Sequence, residues 1–314
     1  MDIRHLRYFL AIIESQSLSV AAQKLGVAQP SLSQHLRKME DELSVTLVER
    51  SPRGVIVTED GLVLAEHARA ICAKFDECMA EIHDLSGDLR GTVSFGIPPS
   101  AAMAMSVPLA ETVRLELPHV RLRAIEAMSS YIKKWIEDGT VEMAIVYDLE
   151  SSEHLRATHL LNEELHFISA PDNWPFRSPI GSPVEFREIE SVELILPSPS
   201  NGLRRTIDRY QAAHGVNLNV VIDMDAMTQI KELVSRGSGH AILAPVAIRD
   251  LIGRGELISA PIINPVLTRP VHLVNHPART LSRAAKAVES ITMKVVHELV
   301  ERRIWNAKLP QHQT

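Results

Sequence analysis

A mixed fold is predicted for this chain: a small helical head with a two-stranded wing, one long helix, and a body of two α/β lobes. Three observations carry the prediction. In SLSVAAQKLGVAQPSLSQHLRKMEDEL, apolar residues recur at helical spacing on both sides of Gly26. Apolar residues at heptad spacing then run on from Leu64. From Gly91 onward, strand-like and helix-like segments alternate.

Residues 3 to 13, IRHLRYFLAII, read as an opening helix with Leu6, Phe9, Leu10 and Ile13 on one face. Ala21, Ala22, Leu25 and Val27 mark a second helix, and Leu32, Leu36 and Met39 a third. Gly26 stands between them at a tight turn, where a missing Cβ permits positive φ. Helix-turn-helix units place their second helix in the DNA major groove. Here that helix begins near Pro30 and presents Ser31, Ser33, Gln34, Arg37 and Lys38 outward. A helical hairpin with no nucleic-acid role is the alternative. VTLVERSPRGVIVTEDG then reads as two short strands around a Ser-Pro-Arg-Gly turn. Such a wing would bring Arg50 and Arg53 to phosphates or the minor groove; an ordinary solvent-facing hairpin is the other reading.

Thr58 suits an N-cap, with Glu59 and Asp60 in the first turn, where the helix dipole favours acids. The apolar positions Leu64, Ala68, Ile71, Phe75, Cys78, Ile82 and Leu85 alternate steps of four and three, the spacing of a helix seam. A helix of about thirty residues would span roughly 45 Å. Self-association through Ile71, Phe75 and Ile82 is expected, against the alternative that the seam packs on its own domain. The expected boundaries are 1–58 for the head, 59–89 for the linker helix, 90–303 for the body and 304–314 for a frayed tail. Within the body, a first lobe covers about 90–161 and 266–303, and a second about 162–265. Strands alternating with helices imply crossover units on mainly parallel sheets.

Charge argues against a simple electrostatic DNA binder. The net charge is -6, and the first sixty residues hold seven Lys or Arg against eight Asp or Glu. Phosphate contacts carry most non-specific affinity, so this head should bind weakly alone and need a second copy. Cys72 and Cys78 lie six apart in the long helix, with no metal-ligand set around them. They are expected to be buried thiols. No signal segment or apolar run of membrane-spanning length appears, which implies a soluble cytoplasmic protein. The 14 His residues form no HExxH pattern, RGSGHAILAP lacks the GxGxxG spacing, and no GxSxG elbow occurs. His166, His272 and His276 read as core or edge histidines. No catalytic residue, metal or cofactor is expected.

The ends of α/β strands and the starts of the following helices are where such lobes hold small ligands. Ser100 follows the first strand, Met128 and Ser129 precede a helix, and Ser198 and Asn201 follow ELILPS. Met227 and Thr228 add apolar and hydroxyl contacts from the second lobe. Converging hydroxyls and free amides would suit a small polar or anionic metabolite. Each serine taken singly could equally be a helix cap. A solute receptor or a small-substrate enzyme is the competing function for such a body; the missing export signal, the missing catalytic sets and the attached head oppose them.

The run LRYFLAIIESQSLSVAAQKLGVAQPSLSQHLRKMEDELSVTLVER, the PRGVIVTEDG wing and the helix after it resemble the LysR-type transcriptional regulators. GTVSFGIP, EMAIVYD and VSRGSGHAILAP extend the likeness over essentially the whole chain. The resemblance implies an effector-binding body of periplasmic-binding-protein type. It implies that Gln29, Pro30, Ser31, Ser33 and Gln34 approach base edges, while Arg37, Arg50 and Arg53 make backbone or wing contacts. It further implies a dimer of dimers on double-stranded operator DNA, expected to be an interrupted palindrome, with RNA polymerase as a partner if the protein activates. The effector cleft would lie around Ser100, Ser129, Ser198 and Thr228. EHARAI, MSVPLAETVRLELP and ELILPSPSNGLR are similar to the nitrogen-assimilation control subgroup; regulators with metabolite co-inducers and regulators controlled mainly by their own abundance share this architecture. A thiol switch is not expected, because no cysteine follows Cys78.

Overall fold

The computed structural model describes residues 1–51, 54–84, 89–149 and 154–310. It contains two compact units, built on Met1–Asp88 and on Leu89–Ile136 with Val141–Thr314. The first unit runs α1 (Ile3–Ser15), α2 (Leu18–Leu25), α3 (Gln29–Leu43), β1 (Val48–Ser51), β2 (Gly54–Val57) and α4 (Glu59–Asp84). Phe9, Ile12, Ala21, Leu32 and Met39 are all buried in one cluster. Their spacing of three and four is what turns one face of each helix inward.

Local chemistry sets the corners of the head. Asp2 accepts the amide of His5 to start α1, and Gly26 ends α2 at φ 66, with its N–H on the carbonyls of Ala22 and Gln23. The wing is fastened to the end of α1, where the Val55 amide donates to the Gln16 carbonyl at 2.9 Å. That close approach requires Gly54, since a Cβ there would lie 2.4 Å from the same oxygen. Glu40 closes the other side. Its Oε1 accepts the amides of Leu47 at 2.8 Å and Val48 at 3.3 Å, so this acid braces the wing.

Thr58 caps α4 by accepting the Gly61 amide at 3.0 Å. The helix has 26 residues, about 39 Å at 1.5 Å per residue. Its first half packs Ala65, Ala68 and Cys72 into the head core. Ile71 and Phe75 face outward, 50% and 43% exposed. Cys78 is exposed rather than buried, which corrects the expectation for that thiol; it lies on the outward side with Phe75 and Met79. The side chain of Ile82 lies outside the described residues.

The second unit opens with β3 (Gly91–Ile97), α5 (Pro99–Glu116), β4 (Val120–Glu126), α6 (Ser129–Asp138) and β5 (Met143–Val146). β6 (Arg156–Glu164) leads to a second lobe of β7 (His166–Ser169), β8 (Val184–Glu185), β9 (Glu193–Leu196) and α7 (Gly202–His214). That lobe continues through β10 (Asn219–Asp223), α8 (Met227–Ser235), β11 (Ala241–Leu243), α9 (Arg249–Gly253) and β12 (Ile258–Ile263). The chain returns on β13 (Thr268–Asn275) and ends the first lobe with α10 (Arg283–Glu301) and β14 (Ala307–Lys308).

The first lobe's sheet has the order β14-β6-β13-β5-β3-β4. Among the described residues, β3 pairs in parallel with β4 and with β5; β13 lies antiparallel to β5 and β6, and β14 to β6. In the second lobe β7 is antiparallel to β11 and β12, while β12–β8 and β10–β9 are parallel. The sheets are therefore mixed rather than mainly parallel. The reason is the double crossing between lobes: β6 carries the chain out, β13 carries it back, and neighbours with opposite errands run antiparallel. A hydrogen bond of 2.9 Å from the Leu165 amide to the Leu267 carbonyl joins the two crossings. The tail also differs from expectation. Trp305 is 1% exposed and β14 pairs with β6, so residues 305–308 belong to the core lobe instead of fraying.

Candidate functional sites

On α3, Gln29, Pro30, Ser31, Gln34, Arg37 and Lys38 are exposed, while Leu32, Leu36 and Met39 are buried on the opposite arc. One polar arc over one apolar arc is the arrangement a groove-reading helix needs. Ser33 does not fit that arc. Its hydroxyl is enclosed and has no hydrogen-bond partner, so the structure does not present it outward. The side chain of Arg50 and the whole of Arg53 lie outside the described residues.

Sequence reasoning missed the clasp that sets α3 against α1. The Asp2 amide meets His5 Nδ1 at 3.1 Å, which turns the ring's Nε2 toward α3. That nitrogen faces His35 Nδ1 at 2.9 Å, and the Tyr8 ring meets His35 edge-on at 5.3 Å. The clasp couples the orientation of the exposed arc to the start of α1.

In the body, Ser100 is spent internally. It is 4% exposed, its hydroxyl meets the Tyr147 hydroxyl at 2.5 Å, and it accepts Arg269 Nη2 at 2.8 Å. Arg269 and Glu163 are direct cross-strand partners on β13 and β6, bonded Nε to Oε2 at 2.5 Å. Trp305 Nε1 donates to the other Glu163 oxygen at 2.8 Å, and the Arg269 guanidinium carbon lies 3.5 Å from the Tyr147 ring centroid. Burial pushes the Tyr147 phenol up, so it stays a neutral donor.

The remaining cleft candidates are partly brought together. Asn201 caps α7 by accepting the Leu203 amide at 2.9 Å, and its Nδ2 reaches Met128 Sδ at 3.6 Å across the lobes. Ser198 Oγ meets Ser200 Oγ at 2.9 Å, and its amide donates to Asp225 at 3.1 Å. Ser129 opens α6, and Met227 and exposed Thr228 open α8.

A charged cluster between the lobes has no counterpart among the expected residues. Asp148, just beyond β5, accepts Lys133 Nζ at 2.7 Å on one oxygen and Arg205 Nη2 at 3.1 Å on the other. Burial would raise the Asp148 pKa, but the hydrogen bond and charge of Lys133, then Arg205, outweigh it and hold the carboxyl below its ordinary value. The one signal in the sequence was an acid directly after the buried run MAIVY at a strand's C-terminal end. Among the described residues, no group of three or more His, Cys, Asp or Glu is placed to hold a metal ion, and no helix is long and apolar enough to cross a membrane.

A head of this geometry joined to a two-lobed body defines a class, and comparison identifies it. The model for the bacterial regulatory helix-turn-helix of the lysR family matches residues 3–62, and the model for the LysR substrate binding domain matches residues 86–292. The chain belongs to the LysR family: it is a DNA-binding transcriptional regulator and not an enzyme. It is 30% identical over 308 residues to the nitrogen assimilation regulatory protein nac of Escherichia coli (strain K12), covering 97% of this chain and 99% of that protein. A hydrogen-peroxide-bound OxyR variant from Corynebacterium glutamicum matches with TM-score 0.62 at 26% identity, over 96% of both chains. Full-length CbnR in complex with its target DNA shares the fold with TM-score 0.69 at 17% identity, over 95% of this chain and 99% of that one.

Proposed function

We propose that the protein reads an interrupted palindromic operator as a dimer of dimers in the cytoplasm, with α3 entering the major groove of each half-site. The observation that carries this is the exposed arc Gln29, Pro30, Ser31, Gln34 and Arg37, opposite the buried Leu32, Leu36 and Met39. Because the head is not basic, base contacts and doubling of the site must supply affinity that bulk charge cannot. Exposed Ile71 and Phe75, with Ile82 one heptad on, support α4 as the seam between copies. RNA polymerase is the further partner if the protein activates. Likeness to the nac protein of Escherichia coli supports a place near that subgroup.

The cleft lined by Met128, Ser129, Ser198, Asn201, Met227 and Thr228 is the proposed seat of a small polar or anionic metabolite that alters operator occupancy or DNA bending. A second reading, control by abundance without an effector, is favoured by a specific observation. Ser100 is closed off by Tyr147 and Arg269, and Asp148 already fills the space between two cations. Footprinting of the full chain on DNA recovered from genome-wide binding maps tests the assembly. Protection of two half-sites in register with one or more helical turns supports it, and a single unrepeated footprint overturns it. A thermal-shift screen of small acids, amino acids and sugars on wild type beside Ser129→Ala then separates the two cleft readings. A ligand whose shift is lost in the variant favours the metabolite; no shift from any compound favours abundance.

A further inference from the structure

We propose that Asp148 is a built-in carboxylate ligand of the interlobe cleft, holding Arg205 of the second lobe to Lys133 of the first. Lys133 lies on α6 and Asp148 just beyond β5, both in the first lobe, whereas Arg205 lies on the first turn of α7 in the second. Each carboxylate oxygen takes a different cation, at 2.7 Å and 3.1 Å. The Asp148 and Lys133 side chains are only 10% and 13% exposed, so their attraction is poorly screened. The anion also sits beside Gly202 at the start of α7, where the helix dipole favours negative charge. Gly202 makes room for it, since a Cβ there would stand 3.2 Å from Asp148 Oδ2. Arg205 is aimed from behind, its Nη1 donating to the Ser200 carbonyl at 2.6 Å. Among the described residues, His272 on β13 also lies within the field of Asp148.

A small acid captured between two lobes would make this same set of charge-assisted bonds to both sides. Here the chain supplies the acid itself. The lobes are therefore joined without a small molecule, and an external ligand able to compete would have to be a small oxyanion, with a carboxylate the nearest mimic. The inference concerns the proposed cleft but needs no natural effector, and it stands or falls apart from DNA reading.

The test is an interlobe distance in the full-length protein, by pulsed dipolar EPR. Spin labels are placed through Arg121→Cys on β4 and Arg236→Cys at the end of α8, with Cys72 and Cys78 replaced by alanine and excess unlabelled protein added. The wild-type background should give one narrow distribution without any ligand. Asp148→Ala and Arg205→Gln should each shift it to longer distance and broaden it. Sodium acetate, against sodium chloride at equal ionic strength, should restore the narrow distribution in Asp148→Ala but not in Arg205→Gln. Asp148→Asn, the gentler variant, should broaden the distribution without an acetate response. A wild-type distribution in Asp148→Asn and Arg205→Gln overturns the proposal, as does acetate acting no better than chloride on Asp148→Ala. Operator binding by wild type, measured alongside, reports on the DNA-reading proposal separately.

Discussion

Glu163→Gln should destabilise the body far more than its isosteric form suggests. Glu163 is 0% and Arg269 2% exposed, and the pair is bonded across β6 and β13. Burial disfavours the Arg269 charge, yet the charge and hydrogen bond of Glu163 offset it and raise its pKa, so the guanidinium stays charged. The substitution leaves that charge buried beside Ser100 and the Tyr147 ring, with no anion. Stranding one member of a buried pair typically costs about 3–5 kcal/mol. At about 2–4 °C per kcal/mol for a domain of this size, the melting temperature should fall by about 6–20 °C. Trp305 is little affected, because a glutamine oxygen can still accept its indole N–H, and its fluorescence can follow urea unfolding. Glu163→Gln combined with Arg269→Met removes both charges and should recover most of the loss. The reasoning is refuted if the single variant lies within about 1 kcal/mol of wild type, or if the double variant is no more stable than the single.

Phe75→Asp should shift sedimentation toward smaller species and weaken operator binding, while leaving the melting of the head nearly unchanged because the ring is 43% exposed. An unaltered sedimentation profile would move the seam elsewhere. Burial, then the neighbouring His159, pushes His272 down from 6.5 to about 4. Between those values the unfolded chain binds a proton that the folded chain refuses, so stability should fall as pH drops from 6.5 toward 4. The full gap is worth at most about 3 kcal/mol, and solvent reaching this half-buried ring reduces it to about 1–2 kcal/mol. His272→Gln should flatten the stability–pH curve over that window; parallel curves would show that another group titrates. Ser100→Ala leaves Tyr147 and Arg269 each short of one partner and should cost about 1–3 kcal/mol in urea unfolding. No measurable loss would return Ser100 to the cleft.

The head was legible because its information is local. Ala21, Ala22, Leu32, Leu36 and Met39 sit at helical spacing around a glycine that only one turn geometry uses, and all five are buried. Strand positions in the body were equally readable, but their directions were not, since the pairing of β13 with both β5 and β6 is a contact across more than a hundred residues. The cleft shows the same division. Ser100 stands at a strand end, as read, yet its environment is set by Arg269 and Tyr147, which come from distant strands. Lys133, Asp148 and Arg205 carry no motif at all; only the packing of α6, β5 and α7 makes them one group. Ser33 shows the limit within a single helix. It lies beside the exposed arc in sequence, yet its hydroxyl is enclosed.

The central claim is that α3 reads sequence rather than charge. Anisotropy titrations of wild type and Gln34→Ala against a selected operator and a scrambled duplex of equal length test it most directly. Losing one base-reading side chain should cost about 1–3 kcal/mol, or about 5- to 150-fold, on the operator and almost nothing on the scrambled duplex. Equal losses on both duplexes, or a randomised-site selection that enriches no sequence, would contradict the account.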